Sequence, residues 1–488
     1  MPTSNPILIV HGWGSNYQSF IPLKTSLQTQ GYQAEQVFFA NYESMEDHVT
    51  FDDLAAGLQR RLEELVAQNK LPAGLAPFSL DVIVHSTGGP VIRHWLSYYL
   101  KDKCRGDLAR CPIRCLIMLA PANFGSRLAA QGKSTLAKLF RGGMAHGFQT
   151  GAKILTGLEL GSPDLWRMAQ QDLFGSQAIY PCQADRGPFV FVFSGTATFG
   201  SLKGFVAPGA NEDGSDGTIR AAAASLNSIK LSIDYHNPAH PEVQALRQPN
   251  APFAFRLVPG VNHSEIYPSA PVNPAHRILA LIPRCLAVEN AAQYEELRLA
   301  FDQETEEFYK QQKLQSQALQ IHRYQQFIVH LRDEMGNDVP DYRLDLHVVD
   351  RTIRFSAWDP HDPTTLQGLQ AYQPYTTFLQ EHVIANVEPH SVNASYRTFF
   401  LNLDRLNDLQ AQLKGDSRQP YIAMNLDALG ATSDLTYATD GLHYLPMEYP
   451  IQDSKGGQAE YFKSNTSTLV EIVLQSVPTR NVMNVISS

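Results

Sequence analysis

The sequence lacks the patterns that mark disulfide frameworks, metal clusters and membrane spans. It has five cysteines in 488 residues, and the group Cys104, Cys111 and Cys115 contains neither a CxxC pair nor a nearby histidine. This spacing predicts structural thiols and no metal site. No apolar run approaches the roughly 20 residues that span a bilayer, and no basic segment with a long apolar run precedes the strand-like Pro6–Val10. We therefore expect a cytoplasmic protein, or one exported by a route that needs no N-terminal signal peptide.

Positive charge is also scarce, and it is unevenly distributed. The chain has 39 Lys and Arg against 48 Asp and Glu, which gives a net charge of −9. Residues after 290 include 15 basic and 26 acidic residues, so the negative excess lies in the second half of the chain. An acidic second half argues against nucleic acid as a partner and against simple electrostatic docking on anionic lipid. Glycine-rich phosphate loops and Cys/His clusters are absent, so no cofactor or metal is expected.

The first part of the sequence alternates short apolar runs with helical patterns. Each run has turn residues nearby, as is typical of strands that are buried in a parallel sheet. Helical patterns such as Phe51–Asn69 and Gly89–Tyr99 lie between the runs. Repeated strand–helix units predict an α/β fold with a doubly wound, mostly parallel sheet. The predicted strands are Pro6–Val10, Gln36–Ala40, Leu80–Val84, Ile113–Leu119, Phe189–Phe193 and Phe253–Val258.

Changes in this alternation predict the domain boundaries. We assign residues 1–287 to the α/β domain, in which about 124–180 form a helical cap or lid over the carboxyl edge of the sheet. Residues 288–317 are predicted to be a helical linker, and 318–488 an all-β, sandwich-like accessory domain. Apolar residues of the cap either line a slot for an acyl chain or only bury the core of the cap itself. They are Leu139, Phe140, Met144, Phe148, Ile154, Leu155 and Leu158.

The segment His85-Ser86-Thr87-Gly88-Gly89 lies at the end of the third predicted strand and directly before a helix. Such a turn exposes a serine hydroxyl and aims the next backbone N–H at the reacting carbonyl. Glycines are needed there because the turn is strained and the helix packs closely. The residue two before the serine is usually Gly, and here it is Val84. We predict that Ser86 is a nucleophile; the alternative is a plain strand–turn–helix with an idle serine.

The first predicted strand ends in His11-Gly12-Trp13-Gly14. In a fold of this kind, that position supplies a second backbone donor for the oxyanion of a tetrahedral intermediate. We predict that the amides of Trp13 and Thr87 form the oxyanion hole, in which the loss of one donor typically costs about 100–1,000-fold in rate. His11 is assigned to structure and not to proton transfer. The alternative for the whole motif is a tight turn with no part in the chemistry.

A serine hydroxyl is a poor nucleophile until a base accepts its proton. The base is expected after the last strand of the sheet. Phe253–Val258 is that strand, and Gly260-Val261-Asn262-His263 follows it. We therefore predict that His263 is the base, and the alternative is a lone surface histidine.

The acid that orients this base should follow the preceding strand. Two Asp-Gly pairs compete there, at Asp213 and at Asp216. Asp216 precedes the apolar-leaning Gly217-Thr218-Ile219, which can anchor it, so Asp216 is the first choice and Asp213 the second. The acid fixes the tautomer of the histidine and stabilises its charged form. The order Ser86, Asp216, His263 is the one expected for an α/β-hydrolase.

Residues 1–285 resemble the lipase and esterase branch of the α/β-hydrolases, and in particular bacterial triacylglycerol lipases and lecithin–cholesterol acyltransferase-like enzymes. The resemblance implies ester hydrolysis, often on lipids, and it does not extend to residues 290–488. The matching segments are His11-Gly12, His85-Ser86-Thr87-Gly88-Gly89, Ala120–Ser126, Ser215-Asp216-Gly217 and Asn262-His263.

Together, the motifs predict a serine carboxylic-ester hydrolase of the lipase or phospholipase type, which acts on lipid esters through an acyl-enzyme on Ser86. An acyltransferase would use the same acyl-enzyme with an alcohol in place of water, and a general esterase would use the same residues on small esters. A non-catalytic binding protein on this scaffold is a further alternative, against which the complete Ser, Asp and His set argues. The expected partners are an acyl-ester substrate and a transiently contacted membrane or lipid aggregate.

Overall fold

The structure is a computed structural model, and its described part divides into two compact units. The first unit contains Met1–Asn227 and Gln248–His322, and the second contains Ser228–Arg247 and Arg323–Ser488. The predicted linker therefore lies within the first unit, and a segment at 228–247 belongs to the second. The described residues are all those outside 1–3, 43–45, 73, 131–150, 176–178, 200–207, 238–240, 248–251, 269–276, 317–319, 351–362, 431–433, 438–444, 448–450, 453–457, 460, 480–481 and 484–488.

A six-stranded parallel sheet forms the centre of the first unit. Its strand order is β2-β1-β3-β4-β5-β8, and each neighbouring pair is parallel. Most residues of these strands are buried, as expected for a parallel sheet that is covered on both faces. The predicted α/β sheet is thus confirmed, with all six strands within two residues of their expected bounds. The strands are β1 (Ile7–Val10), β2 (Val37–Ala40), β3 (Leu80–His85), β4 (Ile113–Leu119), β5 (Phe189–Gly195) and, after β6 (Ser228–Asp234) and β7 (Glu242–Arg247) of the second unit, β8 (Ala254–Val258).

Helices lie between these strands in the chain and follow the last of them. Helix α2 begins after Thr50, whose hydroxyl accepts from the amide of Asp53 while the Asp53 carboxylate accepts from the amide of Thr50. This reciprocal capping satisfies backbone donors that an open helix end leaves unpaired. The α-helices of the unit are α1 (Ile21–Thr29), α2 (Phe51–Ala67), α3 (Gly88–Tyr98), α4 (Arg127–Ala130), α5 (Ala152–Gly157), α6 (Pro163–Asp172), α7 (Ala221–Ala224), α8 (Arg277–Leu286) and α9 (Ala291–Gln312).

Helix α9, the charged helix of the predicted linker, packs against the sheet. The hydroxyl of Tyr294 donates to the carbonyl of Val190 at 2.8 Å and accepts from the amide of Ala254 at 3.0 Å, so it joins β5 and β8. Phe301 is fully buried, whereas Leu299 is 47% exposed. The helix is therefore an integral part of the first unit and not a connection between units.

The predicted cap at 124–180 is described only in part. Helices α4, α5 and α6 lie within it, and Ile154, Leu155 and Leu158 are buried. The other four apolar residues predicted to line the slot fall in 131–150, outside the described residues.

The second unit contains two main sheets. A six-stranded mixed sheet has the order β11-β12-β9-β18-β6-β7, and a three-stranded antiparallel sheet has the order β10-β13-β15. Buried residues of both sheets belong to one hydrophobic cluster, as in a sandwich. The strands are β9 (Tyr324–Asp333), β10 (Tyr342–Val349), β11 (Ile384–Pro389), β12 (Tyr396–Asn402), β13 (Tyr421–Ala428), β14 (Leu435–Tyr437), β15 (Leu445–Pro446), β16 (Ile451–Gln452), β17 (Gln458–Ala459), β18 (Ser467–Leu474) and β19 (Ser476–Pro478).

The second unit also contains helices, which the sequence analysis did not predict. They are α10 (Pro363–Ala371), α11 (Gln373–Phe378) and α12 (Leu403–Leu413). Asn402 caps the N-terminus of helix α12. The helix buries residues at helical spacing, which are Leu403, Leu406, Leu409 and Leu413. The predicted all-β domain is thus a layered unit of sheets with helices.

Among the described residues, no helix is long and apolar enough to cross a bilayer. No cluster of three or more potential metal ligands occurs in this part of the chain. All five cysteines are free and buried, and burial raises the pKa of the Cys111 thiol to about 12.

Candidate active site

Ser86 occupies a sharp turn between β3, which ends at His85, and α3, which begins at Gly88. Its φ is +54°, in the left-handed region that is uncommon for a residue with a side chain. A Cβ on Gly12 would lie 2.7 Å from the Cβ of Ser86, and a Cβ on Gly88 would lie 2.6 Å from the carbonyl oxygen of Val10. Only glycine allows this close packing, so the strained turn is held in place by its neighbours.

His263 and Asp216 form a buried hydrogen-bonded pair. His263 Nδ1 lies 2.8 Å from Asp216 Oδ2, and the two residues are 1% and 0% exposed. A carboxylate only accepts hydrogen bonds, so Nδ1 carries the ring proton and Nε2 is the acceptor of a neutral ring. Asp216 Oδ1 accepts from the amides of Thr218 and Ile219 at 3.0 and 2.7 Å. The backbone of His263 also donates to the carbonyl of Asp216 at 2.9 Å, so the pair is fixed at several points.

Asp213, the second choice for the acid, has a different partner. Its Oδ2 lies 2.6 Å from Nδ1 of His322, and its Oδ1 accepts from the amide of Gly214 at 2.8 Å. The structure therefore pairs His263 with Asp216 and places Asp213 in a separate contact.

Ser86 and His263 line the same cavity, which has a volume of about 280 Å³. The three residues predicted for proton transfer and attack are thus brought together, Asp216 through its contact with His263. Their chemical roles remain predictions. The other residues that line the cavity are Trp13, Gly14, Ser15, Ser19, His85, Thr87, Ala122, Ser126, Ala129, Leu155, Leu158, Thr218, Ile219, Ser264 and Tyr267.

Both predicted oxyanion donors reach this cavity. The Trp13 amide donates to Oγ1 of Thr87 at 3.3 Å, so the two ends of the predicted oxyanion hole are in contact. His11 is buried and stacks on Tyr42 with ring centroids 4.4 Å apart. Its Nε2 accepts from the Tyr42 amide at 3.2 Å and its Nδ1 donates to the Gly12 carbonyl at 2.8 Å. These contacts fit the structural role that the sequence analysis gave to His11.

Comparison with known proteins supports the α/β-hydrolase assignment. The model of the class 2 lipase family matches residues 4–159, which include Ser86 and the segment around Trp13. Phospholipase PlaB from Legionella pneumophila is 25% identical, and the match covers 99% of this chain and 96% of that one with a TM-score of 0.77. This chain is an α/β-hydrolase of the lipase and esterase type.

The same phospholipase in complex with thio-NAD matches with a TM-score of 0.76, 25% identity and the same coverage of both chains. Bacillus licheniformis lipase BlEst2 in its mature form is 17% identical over 54% of this chain and 87% of that one, with a TM-score of 0.34. No curated protein matches the chain. The lipase family and the full-length match to a phospholipase make the chain a hydrolase of carboxylic esters, with lipid esters as the substrate class.

In this hydrolase, the described walls of the cavity differ in character. Ala122, Ala129, Leu155, Leu158 and Ile219 contribute apolar side chains, and two of them come from the predicted acyl slot of the cap. Polar side chains are contributed by Ser15, Ser19, His85, Ser264 and Tyr267, and none of the described lining residues is Asp, Glu, Lys or Arg. The described cavity therefore combines apolar surface with uncharged hydrogen-bonding groups.

Sequence analysis of the hydrolase missed the residues that support this site. Glu212 forms a bidentate ion pair with the buried Arg220 at 2.8 and 2.9 Å and also contacts Arg127 at 3.2 Å. Asp216 lies between Glu212 and Arg220 in the chain, so this clamp closes the loop that presents it. The signal available was an acidic residue and a basic residue flanking the Asp-Gly motif, which is too common to be specific.

His85 is the second missed residue, although it lies in the segment that identified Ser86. Its Nε2 lies 3.0 Å from the carbonyl oxygen of His263. Because this partner is 178 residues away in the sequence, no local pattern could have indicated the contact.

Proposed function

We propose that this hydrolase cleaves the carboxylic esters of phospholipids through an acyl-enzyme on Ser86, with His263 as base and Asp216 as its orienting acid. One observation carries the proposal. Ser86 lies on a strained turn in the same cavity as His263, whose Nδ1 is 2.8 Å from the buried Asp216. This arrangement supplies a nucleophile that lines the cavity, a base whose acceptor lone pair is on Nε2, and a carboxylate that stabilises the positive charge on the ring.

The first half of the reaction forms the acyl-enzyme. His263 Nε2 accepts the proton of the Ser86 hydroxyl while Oγ attacks the ester carbonyl, and the carbonyl oxygen becomes an oxyanion. The amides of Trp13 and Thr87 stabilise that oxyanion, for which the Trp13 N–H exchanges its contact with Thr87 Oγ1 for the substrate. The protonated His263 then gives its proton to the departing alcohol as the C–O bond breaks.

The second half releases the acid. His263 accepts a proton from water, and the resulting hydroxide oxygen attacks the acyl carbonyl. When the tetrahedral intermediate collapses, the proton returns to Oγ of Ser86 and the carboxylic acid leaves. The low exposure of Asp216 and His263 strengthens their interaction during both steps, since little water screens it.

The phospholipid assignment is supported by the similarity to a phospholipase over nearly the whole chain. Apolar side chains such as Leu155 and Leu158 offer a surface for an acyl chain, and the uncharged polar groups of the cavity suit the ester and its alcohol. Lipid aggregates would be contacted transiently during substrate entry. Because the second half of the chain is acidic, that contact should depend on apolar surface more than on anionic lipid charge.

The test uses the full chain with Ser86→Ala and the matched control Ser97→Ala, which lies on the same helix but not in the cavity wall. Hydrolysis of p-nitrophenyl esters and of defined phospholipid vesicles should disappear in Ser86→Ala, together with labelling by a fluorophosphonate probe. Ser97→Ala should retain both. Labelling that persists in folded Ser86→Ala would contradict the assignment of the nucleophile, and an active enzyme that leaves phospholipids intact would contradict the substrate.

A further inference from the structure

His85 lies beside the proposed base but takes no part in the proposed proton transfers. It ends strand β3, precedes Ser86 and lines the cavity, yet it is only 5% exposed. Its ring centroid is 4.7 Å from that of His263 and 4.8 Å from that of Tyr267. Phe20 packs at 5.8 Å from His85 and stacks on Tyr267 at 4.3 Å, so an aromatic cluster encloses the His85 ring.

One hydrogen bond of the His85 ring fixes its tautomer. Nε2 lies 3.0 Å from the carbonyl oxygen of His263, and a carbonyl only accepts, so Nε2 carries the proton. Nδ1 is buried and has no hydrogen-bond partner among the described residues. A Cβ on Gly12 would lie 3.2 Å from this nitrogen, so backbone closes over it. A second proton on Nδ1 would therefore be a buried, unpaired donor.

The groups that face His85 keep it uncharged. Burial lowers the pKa of the His85 imidazole well below its usual range, and the neighbouring His263 and His11 rings lower it further, which outweighs the rise caused by the hydrogen bond to the His263 carbonyl. The Tyr267 ring lies at an angle of 70° to the His85 ring, and burial raises the pKa of its phenol, so Tyr267 supplies no negative charge. A neutral His85 is needed in the proposed reaction, since a charged ring would oppose the positive charge that forms on His263.

We propose that His85 is a positioning residue for the base, which holds the carbonyl of His263 through its Nε2–H and stays uncharged while the His263 ring gains and loses its proton. Asp216 binds the backbone N–H and the Nδ1 of His263, and His85 binds its carbonyl, so the three contacts together fix where Nε2 meets Ser86. The inference rests on the proposed function of His263 as base.

The experiment compares His85→Phe with His85→Gln in the full chain. Phenylalanine keeps the ring and its packing but removes the N–H donor, whereas glutamine restores an N–H donor without a titratable ring. The same two substitutions at His382, an exposed histidine of the second unit, are the matched controls. The readouts are kcat and KM on a soluble p-nitrophenyl ester, the rate of fluorophosphonate labelling, and the pH profile of kcat/KM.

We expect His85→Phe to lose about 10- to 100-fold in kcat and in labelling rate, with KM changed less than about threefold, because misplacement of a base costs rate rather than binding. His85→Gln should recover most of this loss, and both His382 variants should match the wild type. Equal losses in the two His85 variants, a loss confined to KM, or wild-type rates in His85→Phe would each overturn the proposal.

The acid limb of the wild-type pH profile gives a second measurement that needs no variant. If His85 stays neutral, the limb follows a single proton. A two-proton limb in the wild type that becomes a one-proton limb in His85→Gln would show that His85 titrates and would overturn the proposal, even if His85→Phe failed to fold. A wild type without ester hydrolysis or labelling would instead contradict the proposed function, so the two failures are distinguishable.

Discussion

Two aspartate–histidine pairs, whose aspartates are three residues apart in the chain, are joined by the same atoms at similar distances but differ in burial and in their position relative to the cavity. Asp216 Oδ2 lies 2.8 Å from His263 Nδ1, and both side chains are almost completely buried. Asp213 Oδ2 lies 2.6 Å from His322 Nδ1, but the Asp213 side chain is 32% exposed and that of His322 is 18% exposed. His263 shares a cavity with Ser86, and His322 does not line that cavity. A short contact between these residue types therefore does not by itself indicate a catalytic pair.

The difference in burial decides what each pair can do. Opposite charges interact weakly where water screens them and more strongly where it is excluded. The carboxylate of Asp216 is also held by the Thr218 and Ile219 amides, so it cannot rotate away from His263 without losing both hydrogen bonds. The buried pair is thus built to orient a ring, whereas the partly exposed pair is expected to make a modest contribution to stability.

Asp216→Asn is expected to have the largest effect on the rate of ester hydrolysis. The Thr218 and Ile219 amides need an acceptor at Oδ1, so the new NH₂ group must occupy the position of Oδ2 and donate to Nδ1 of His263. The ring proton then moves to Nε2, which can no longer accept from Ser86. We expect kcat on a soluble ester to fall by about 10⁴-fold.

Asp213→Asn is the matched control for this change and should stay within about threefold of the wild-type rate. Circular dichroism of both variants checks that the fold is retained. If the two substitutions cost the same, or if Asp213→Asn costs more, the acid has been wrongly assigned.

The next largest effect is expected from Glu212→Gln, which acts on the loop between the two aspartates. Removal of the Glu212 charge breaks its buried ion pair with Arg220, a change that costs about 3 kcal/mol. A loss of this size should lower the midpoint of thermal unfolding by roughly 5 °C for a unit of about 300 residues. We also expect kcat to fall about tenfold, because the loop that holds Asp216 loses its clamp.

The control for Glu212→Gln is Glu295→Gln, which removes a partly exposed ion pair with Arg298 on helix α9. Exposed pairs typically contribute less than about 1 kcal/mol. Similar shifts of the unfolding midpoint in the two variants would mean that the Glu212–Arg220 ion pair stabilises the unit no more than a partly exposed pair does.

These two aspartates also show which features of the site could be predicted from the sequence and which could not. The apolar strands and the position of Ser86 are local patterns, so they could be predicted together with the order of the three residues. The choice of Asp216 over Asp213 rested on the apolar-leaning continuation Gly217-Thr218-Ile219, whose amides do bind its carboxylate. What local pattern could not give is the partner of Asp213, since His322 is 109 residues away.

The second unit was harder to predict for a similar reason. Strand β18 at residues 467–474 lies parallel to both β9 and β6, and β6 belongs to the second unit although the sequence analysis assigned residues 228–234 to the first domain. The pairing of β18 with β6 joins segments that are more than 200 residues apart, and sequence periodicity carries no information on which strands meet. Helix α12 was missed although its leucines follow a helical period, because the surrounding residues favoured strands.

The smallest expected effect tests the exposed pair directly. His322→Gln removes the ring that contacts Asp213 but keeps the backbone amide of residue 322, which donates to the same carboxylate oxygen at 3.3 Å. Because the pair is partly exposed, its side-chain contribution should be below about 1 kcal/mol and should decrease further at high salt. We therefore expect the unfolding midpoint to shift by no more than roughly 2 °C and the rate on a soluble ester to stay within twofold of the wild type. The measurement is a thermal melt at low and high salt, together with kcat. If His322→Gln instead reduces kcat as strongly as Asp216→Asn does, the second pair takes part in the reaction, and burial is not what distinguishes the two pairs.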